Sequence, residues 1–264
     1  MKHATLRDVV IGAVRYVVAV FAMSRAGHMA DARGLLLENP VAVLPDVGHD
    51  LVPFHPELAI APDLILMLQC LGLIAFCARF KRRNDLILAF VDMHVVMMAL
   101  RSMCVAITVL PTCVHSCKLR HELGHTRASE SLSEWLQNGG MASNCHDLVF
   151  SGHAIVYTLM FLLFVDASGA PLFVRLLNFA LSVAGVFTLL SSRLHYSLDI
   201  FVAVAMTALL YLQWRPSVVE HLRDRDEDED PNAGETTSAV AVAVVPAMTV
   251  GRKSPRVSKK KRLN

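Results

Sequence analysis

The chain has 264 residues, 54% of them hydrophobic and 18% charged, with a formal net charge of +2 and a mean hydropathy of +0.47. Those values exclude an ordinary soluble domain of this length and are those of a polytopic membrane protein. Six cysteines are too few and too scattered for a disulfide-built fold, and nothing in the charge balance asks for a nucleic-acid partner.

Residues 1–8 carry Lys2 and Arg7, and the apolar run Val9 to Met23 reads as a first span, with Arg15 low enough to snorkel toward the starting side. No small-residue cleavage pattern follows, which argues against a signal peptide. Residues 24–56 read as a mixed loop rich in turn formers, containing Leu44-Pro-Asp46 and Asp50; either acid could simply solvate a turn. Leu58 to Phe80 is the second span and ends against Arg79, Lys81, Arg82 and Arg83, a basic cluster that stays cytosolic. The third span, from about Asp85 to Leu110, contains Asp92, His94 and Arg101. His94 and Arg101 share a helix face, whereas Asp92 and Arg101 lie on opposite faces, so they are not partners within this helix. Arg101 is therefore a candidate clamp for a lipid phosphate or one half of an ion pair with another element.

Pro111 opens the longest loop, residues 112–145. Its Cys113, Cys117, His121 and His125 recur every four residues, but zinc-finger spacing separates such pairs by about a dozen residues, so a loop able to hold one disulfide is the plainer reading. The fourth span runs from Asp147 to Val165, with Ser151-Gly152-His153 in its first turns; Asp147 or Ser151 could serve only as a cap. A short connection, Asp166 to Pro171, leads to the fifth span, Leu172 to Leu190. The apolar pattern then breaks for Ser191 to Asp199 and resumes as a sixth span, Ile200 to Gln213. From Arg215 the chain loses its apolar character, with an acidic run at 224–230 and a basic end at 259–262, and disorder is expected from about 224.

The break at 191–199 organises the functional reading. Ionisable groups are expensive in hydrocarbon, so His195 and Asp199 beside a span mark a working site. Four residues apart on a helix they are about 40° apart on one face, where the carboxylate can orient the imidazole. His153 precedes His195 by 42 positions, close to two crossings of about 20 residues each, which returns both histidines to one membrane face. With the amino terminus in the cytosol, the lysines and arginines put residues 1–8 and 215–264 in the cytosol around a six-helix domain of residues 9–214. The stretches around Pro45, Pro111, His153 and His195 then share the lumenal or extracellular side.

Four stretches in order carry a resemblance. Leu44-Pro-Asp46 with Asp50, Arg101 with Thr108, Leu110 and Pro111, Cys145-x-Asp147 running into Ser151-Gly-His153, and His195-Tyr-x-x-Asp199 together resemble the sphingolipid synthases, the sphingomyelin and inositol phosphorylceramide synthases of the wider lipid phosphatase/phosphotransferase superfamily. His146 and Ala154 depart from the usual pattern, and the Lys-x6-Arg-Pro clamp of plain lipid phosphatases is not found. The resemblance implies an all-α, six-transmembrane-helix bundle that moves a phospho-head group (choline, inositol or ethanolamine) from a glycerophospholipid to the primary hydroxyl of ceramide, releasing diacylglycerol. It implies His153, His195 and Asp199 as catalytic residues, with Arg101, Asp147 and Arg193 binding substrate. It requires no metal or cofactor, takes membrane lipids as partners, and suggests the Golgi or another endomembrane. The alternatives at this stage are a lipid phosphatase or phospholipase C-like hydrolase, a non-catalytic lipid-binding protein and a transporter; the last fits poorly, because the polar groups gather at one face and no internal repeat is seen.

Overall fold

A computed structural model describes residues 6–34, 43–79, 83–114, 117, 145–167 and 170–229. Among the described residues there are seven α-helices, one 3-10 turn at Pro56–Ile60, and no strand. The helices are α1 (Leu6–Gly34), α2 (Val47–Leu51), α3 (Ala61–Arg79), α4 (Arg83–Ile107), α5 (Gly152–Asp166), α6 (Leu172–Ser191) and α7 (Ser197–Glu229). Residues 1–225 form one body; of the second unit, 226–264, only the first four residues are described.

The described residues bear out the all-α fold that the resemblance implies and the apolar spans that the sequence pattern indicates. Among the described residues five helices are long and apolar enough to cross a bilayer: α1, α3 with its 3-10 lead-in, α4, α6 and the first part of α7. The sixth, α5, has 15 residues, about 22 Å at 1.5 Å per residue. It is apolar all round, and a helix of that kind belongs inside a bundle. Ala154, Ile155, Val156, Tyr157, Leu159, Met160, Leu163 and Phe164 are all buried along it. Around it stand α3, α4 and α6, while Tyr211 of α7 packs into the same cluster as Leu159, Leu163 and Phe164. The outer helices show Leu71 and Ile74 on α3, Phe173 and Leu177 on α6, and Phe201 and Leu209 on α7, a surface that suits lipid.

Two boundaries differ from the sequence reading. The first span does not end at Met23: helix α1 continues through residues read as loop, because Ala19, Met23, Ala26 and Ala30 keep one stripe against Met98 and Val105 of α4. At the other end, α7 stays helical to Glu229, past the expected onset of disorder at 224; the rest of the tail lies outside the described residues.

Consecutive spans alternate in direction. The carboxyl ends of α1, α4 and α6 and the amino ends of α3, α5 and α7 meet at one end of the bundle: Arg33 donates to the Ala106 carbonyl, Tyr157 Oη to Pro62 O at 2.7 Å, and the Ser151 amide to Asp199 O at 3.3 Å. At the opposite end Arg215 grips Asp166 through Nε (2.7 Å) and Nη2 (3.0 Å), and Arg175 reaches the Ala167 carbonyl. Within the bundle, buried Gln69 of α3 donates to Asn178 Oδ1 and Ser182 Oγ of α6, both at 3.0 Å. Asp92, excluded as an Arg101 partner, faces Arg15 of α1 at 3.5 Å.

α5 and α6 approach closely at Gly185, where a Cβ would overlap the Tyr157 ring, whereas Gly72 on α3 faces open space. Gly185→Ala should destabilise the protein by about 1–3 kcal/mol through overpacking, and Gly72→Ala should not. Thermal unfolding of the detergent-solubilised variants checks this; equal midpoints for the two would contradict the packing.

Candidate active site

The site is built where α6 gives way to α7. The amide of Arg193 bonds Leu190 O (3.2 Å) and that of Leu194 bonds Leu189 O (3.1 Å), the pair of bonds that closes a helix with a left-handed residue. That residue is normally Gly; here it is Arg193, at φ 57°. Its side chain explains the exception, since Nη2 donates to the carbonyls of His49 and, at 3.1 Å, Val52. Three residues later Tyr196 stands at the N-cap of α7, and Asp199 reaches back to accept the Tyr196 amide on Oδ2 at 3.0 Å, half of a capping box. His195 is held between these two caps.

His195 is buried at 8% side-chain exposure, and its Nδ1 stands 3.6 Å from Asp199 Oδ2, an ion-pair distance rather than a hydrogen bond. Burial lowers the imidazole's pKa, Asp199 opposes that, and the Arg101 guanidinium reinforces it. These surroundings favour the neutral imidazole. Its carbonyl lies 3.0 Å from His49 Nε2, and the His49 ring stacks on Tyr196.

The Ser151-Gly-His153 stretch arrives beside it. Phe150 takes φ 97°, a strained turn, and Ser151 Oγ then accepts the Ala154 amide at 3.3 Å to start α5. His153 lies in the first turn and its Nε2 is 2.9 Å from Asp63 Oδ1 at the start of α3. Arg101 pairs with Asp147, Nη2 to Oδ1 at 2.9 Å, both 11% exposed. Its guanidinium occupies the space a Cβ on Gly152 would take, so this glycine makes room for Arg101 rather than for a substrate group. The Arg101 Nε and Arg193 Nη1 nitrogens are buried with no hydrogen-bond partner among the described residues. Burial pushes the Asp147 carboxyl up to about 6, Arg101 opposes this, and the Asp31 and Asp199 carboxylates add to it.

The 43–60 segment lies against the reversal and binds it. Asp46 accepts the His49 amide on Oδ1 (2.9 Å) and the Ser197 amide (2.8 Å) and hydroxyl (2.7 Å) on Oδ2, so one carboxylate caps both α2 and α7. Burial works against its charge, but the bonds from Ser197 and His49 outweigh it and hold the carboxyl below its ordinary value. Tyr196 Oη donates to Pro111 O (2.9 Å) and accepts the Leu44 amide (3.3 Å), which ties the first, second and fourth stretches through one hydroxyl. A disulfide, Cys117–Cys145, closes the long loop two residues before Asp147 and takes Cys117 out of any Cys/His ladder; His121 and His125 lie outside the described residues.

Residues 144–216 match the family described as PAP2 superfamily C-terminal, a range that includes Asp147, His153, Arg193, His195 and Asp199. Sphingomyelin synthase-related protein 1 of Homo sapiens is 32% identical over 71 residues, 26% of this chain and 17% of that protein. The Mus musculus protein of the same name is 32% identical over 71 residues, 15% of its length. The phosphatidylethanolamine:ceramide ethanolaminephosphotransferase of Trypanosoma brucei brucei is 26% identical over 125 residues, 47% of this chain and 38% of that protein. Over part of its length the chain is thus similar to a sphingomyelin synthase-related protein and to a ceramide ethanolaminephosphotransferase. Its matches span well under half the length of these curated relatives.

Of the residues expected at the site, His195 stands with Asp199, Arg101 with Asp147, and His153 with Asp63. Arg193 is bound to loop carbonyls through Nη2, with Nη1 left over. Sequence reasoning missed Asp63, His49, Asp31 and the bridging role of Tyr196. An acid in the first turn of an apolar span was a usable signal for Asp63; the other three depend on contacts between distant stretches.

Sequence left Asp46 and Asp50 as equals. Asp46→Ala removes acceptors from two helix starts and should cost about 2–3 kcal/mol, the range for bonds to a charged group. Its low pKa means the contribution persists above the ordinary value of 3.8 and is lost only as pH falls below it. Asp50→Ala should change the thermal midpoint little; the reverse order of the two variants would contradict the double cap.

Proposed function

We propose that the chain is a sphingolipid synthase, transferring a phospho-head group from a glycerophospholipid to the primary hydroxyl of ceramide and releasing diacylglycerol. The observation that carries the reading is the convergence of two histidine–carboxylate pairs, His195 with Asp199 and His153 with Asp63, at one end of the bundle beside Arg101.

The chemistry follows from that arrangement. A phosphodiester is a poor electrophile, and two displacements through a covalent intermediate are easier than one. Neutral His195, with Nδ1 turned to Asp199, presents Nε2 as the attacking atom. The Nε2–phosphorus bond forms, the bond from phosphorus to the diacylglycerol oxygen breaks, and His153 supplies that oxygen's proton. Ceramide's hydroxyl then attacks, His153 takes its proton, and the phosphorus–nitrogen bond breaks to free His195. Asp199 stabilises the cationic imidazole formed on the way, and Asp63 holds His153. Arg101 Nε and Arg193 Nη1, buried and unpartnered among the described residues, are donors for the equatorial phosphate oxygens. The amino ends of α3, α5 and α7 at the same end of the bundle add favourable field for a phosphate.

The side of the membrane has support too. Cys117–Cys145 forms in an oxidising compartment and adjoins Asp147, whereas Arg79, Arg175 and Arg215 stand at the opposite end of their spans. This favours cytosolic termini, an active site on the lumenal or extracellular face, and residence in the Golgi or another endomembrane. The superfamily match also favours a second reading, a lipid phosphatase-like hydrolase in which water replaces ceramide.

Purified protein given head-group-labelled phosphatidylcholine, phosphatidylethanolamine or phosphatidylinositol, with and without ceramide, separates the two. Labelled sphingolipid should rise in proportion to ceramide. Release of water-soluble head group regardless of ceramide would instead establish the hydrolase. In Asp199→Asn the rate should fall about 10²- to 10⁴-fold, as for loss of a positioned acid–base partner. Its acid limb should also move to lower pH, because removing that negative charge lowers the pKa of both His195 and Asp147. An acid limb moving upward would contradict the assignment.

A further inference from the structure

Asp31, near the end of α1, belongs to none of the four stretches, yet it is 5% exposed and faces the site. Its Oδ1 accepts the amide of Cys145 at 2.8 Å and the amide of His146 at 2.7 Å, and His146 Nδ1 stands 3.2 Å from the same oxygen. Consecutive amides converging on an anionic oxygen are among the stronger hydrogen-bond arrangements. Three residues on, Gly34 lies against the His146 ring, and a Cβ there would overlap the ring atoms. Arg33, between them, donates to the Ala106 carbonyl near the end of α4. The last turns of α1 therefore grip both the end of the helix that carries Arg101 and the turn that leads directly into Asp147.

We propose that Asp31 is a positioning residue for the transfer: by fixing the Cys145–His146 amides it sets Asp147 against Arg101, and so sets where the guanidinium meets the donor phosphate. The proposal rests on the head-group transferase reading and extends it to a helix outside the superfamily match at 144–216. No bond is made or broken at Asp31. It acts through a chain of contacts, 2.7–2.8 Å to the amides and 2.9 Å from Asp147 to Arg101. His146, where the usual motif differs, is accounted for by the same contact: its ring packs over Gly34 and faces the carboxylate that holds its own amide.

The test uses the full-length chain in vesicles containing phosphatidylcholine, phosphatidylethanolamine and phosphatidylinositol with ceramide, comparing wild type with Asp31→Ala, Asp31→Asn and Gly34→Ala. Asp31→Ala should lower kcat/KM for the donor about tenfold, mostly through KM, as expected when a phosphate-binding group is displaced by a fraction of an ångström. Asp31→Asn keeps an oxygen for the two amides and should recover about a third of wild-type kcat/KM. Gly34→Ala leaves the carboxylate in place but moves the ring, and should fall between wild type and Asp31→Ala; it carries the same expectation if Asp31→Ala does not reach the membrane intact. A second readout, alkylation of thiols across a reductant series, should show Cys117–Cys145 opening at several-fold lower reductant in Asp31→Ala. Wild-type kcat/KM in Asp31→Ala and Gly34→Ala, or no recovery with Asn, overturns the proposal. If wild type itself transfers nothing, the transferase reading fails instead, and an unchanged reductant requirement then shows that Asp31 does not hold the turn either.

Discussion

The reversal between α6 and α7 is the constraint on which the site depends. In a chain this apolar, backbone groups at a helix end cannot all turn to water, so each must find a partner within the protein. Here the α6 carbonyls are taken up by the amides of Arg193 and Leu194, and the first amides of α7 by Asp199 and Asp46. Only Arg193, Leu194 and His195 separate Ser192, which caps α6, from Tyr196, which immediately precedes α7. His195 therefore has little conformational freedom, and its neighbours are side chains that the caps themselves require. The cost is visible in the left-handed backbone of Arg193 and of Phe150, on either side of the site.

A second consequence concerns charge. The buried and half-buried ionisable groups at the site come in opposed sets: Asp46 with helix amides, Asp147 with Arg101, Asp31 with the 145–146 amides, Asp199 with His195 and the Tyr196 amide. Such compensation is what lets charges persist in a low-dielectric setting. Arg101 Nε and Arg193 Nη1 do not fit that rule among the described residues, and under the proposed transfer a donor phosphate would complete them.

Much of this was legible in the sequence, and the reasons differ by residue. Hydrophobic runs gave the spans because bilayer thickness imposes a length on them. His195 and Asp199 stood out because they interrupt such a run, and the span count brought His153 to the same end. The exit of α1 was misjudged at Met23, since polar residues there hide a stripe of small ones, Ala26 and Ala30, that keeps the helix packed on α4. Losing those turns also hid Asp31. His49 and Tyr196 act through partners about 150 positions away, or through the carbonyl of Pro111, and no local pattern announces such contacts. Nor does any local pattern show that Gly152 is the residue that makes room for the Arg101 guanidinium.

The central claim is that the His195 imidazole, steadied by Asp199, attacks phosphorus while His153 handles the proton. The most direct measurement is trapping: the full-length protein is mixed with donor lipid labelled in the head-group phosphate, without acceptor, quenched in alkali where phosphohistidine survives, and its peptides are mapped by mass spectrometry. The account predicts label on the peptide containing His195, discharged when ceramide is added before the quench. Label on His153 instead, or a complete turnover in which neither histidine ever carries it, would contradict the account.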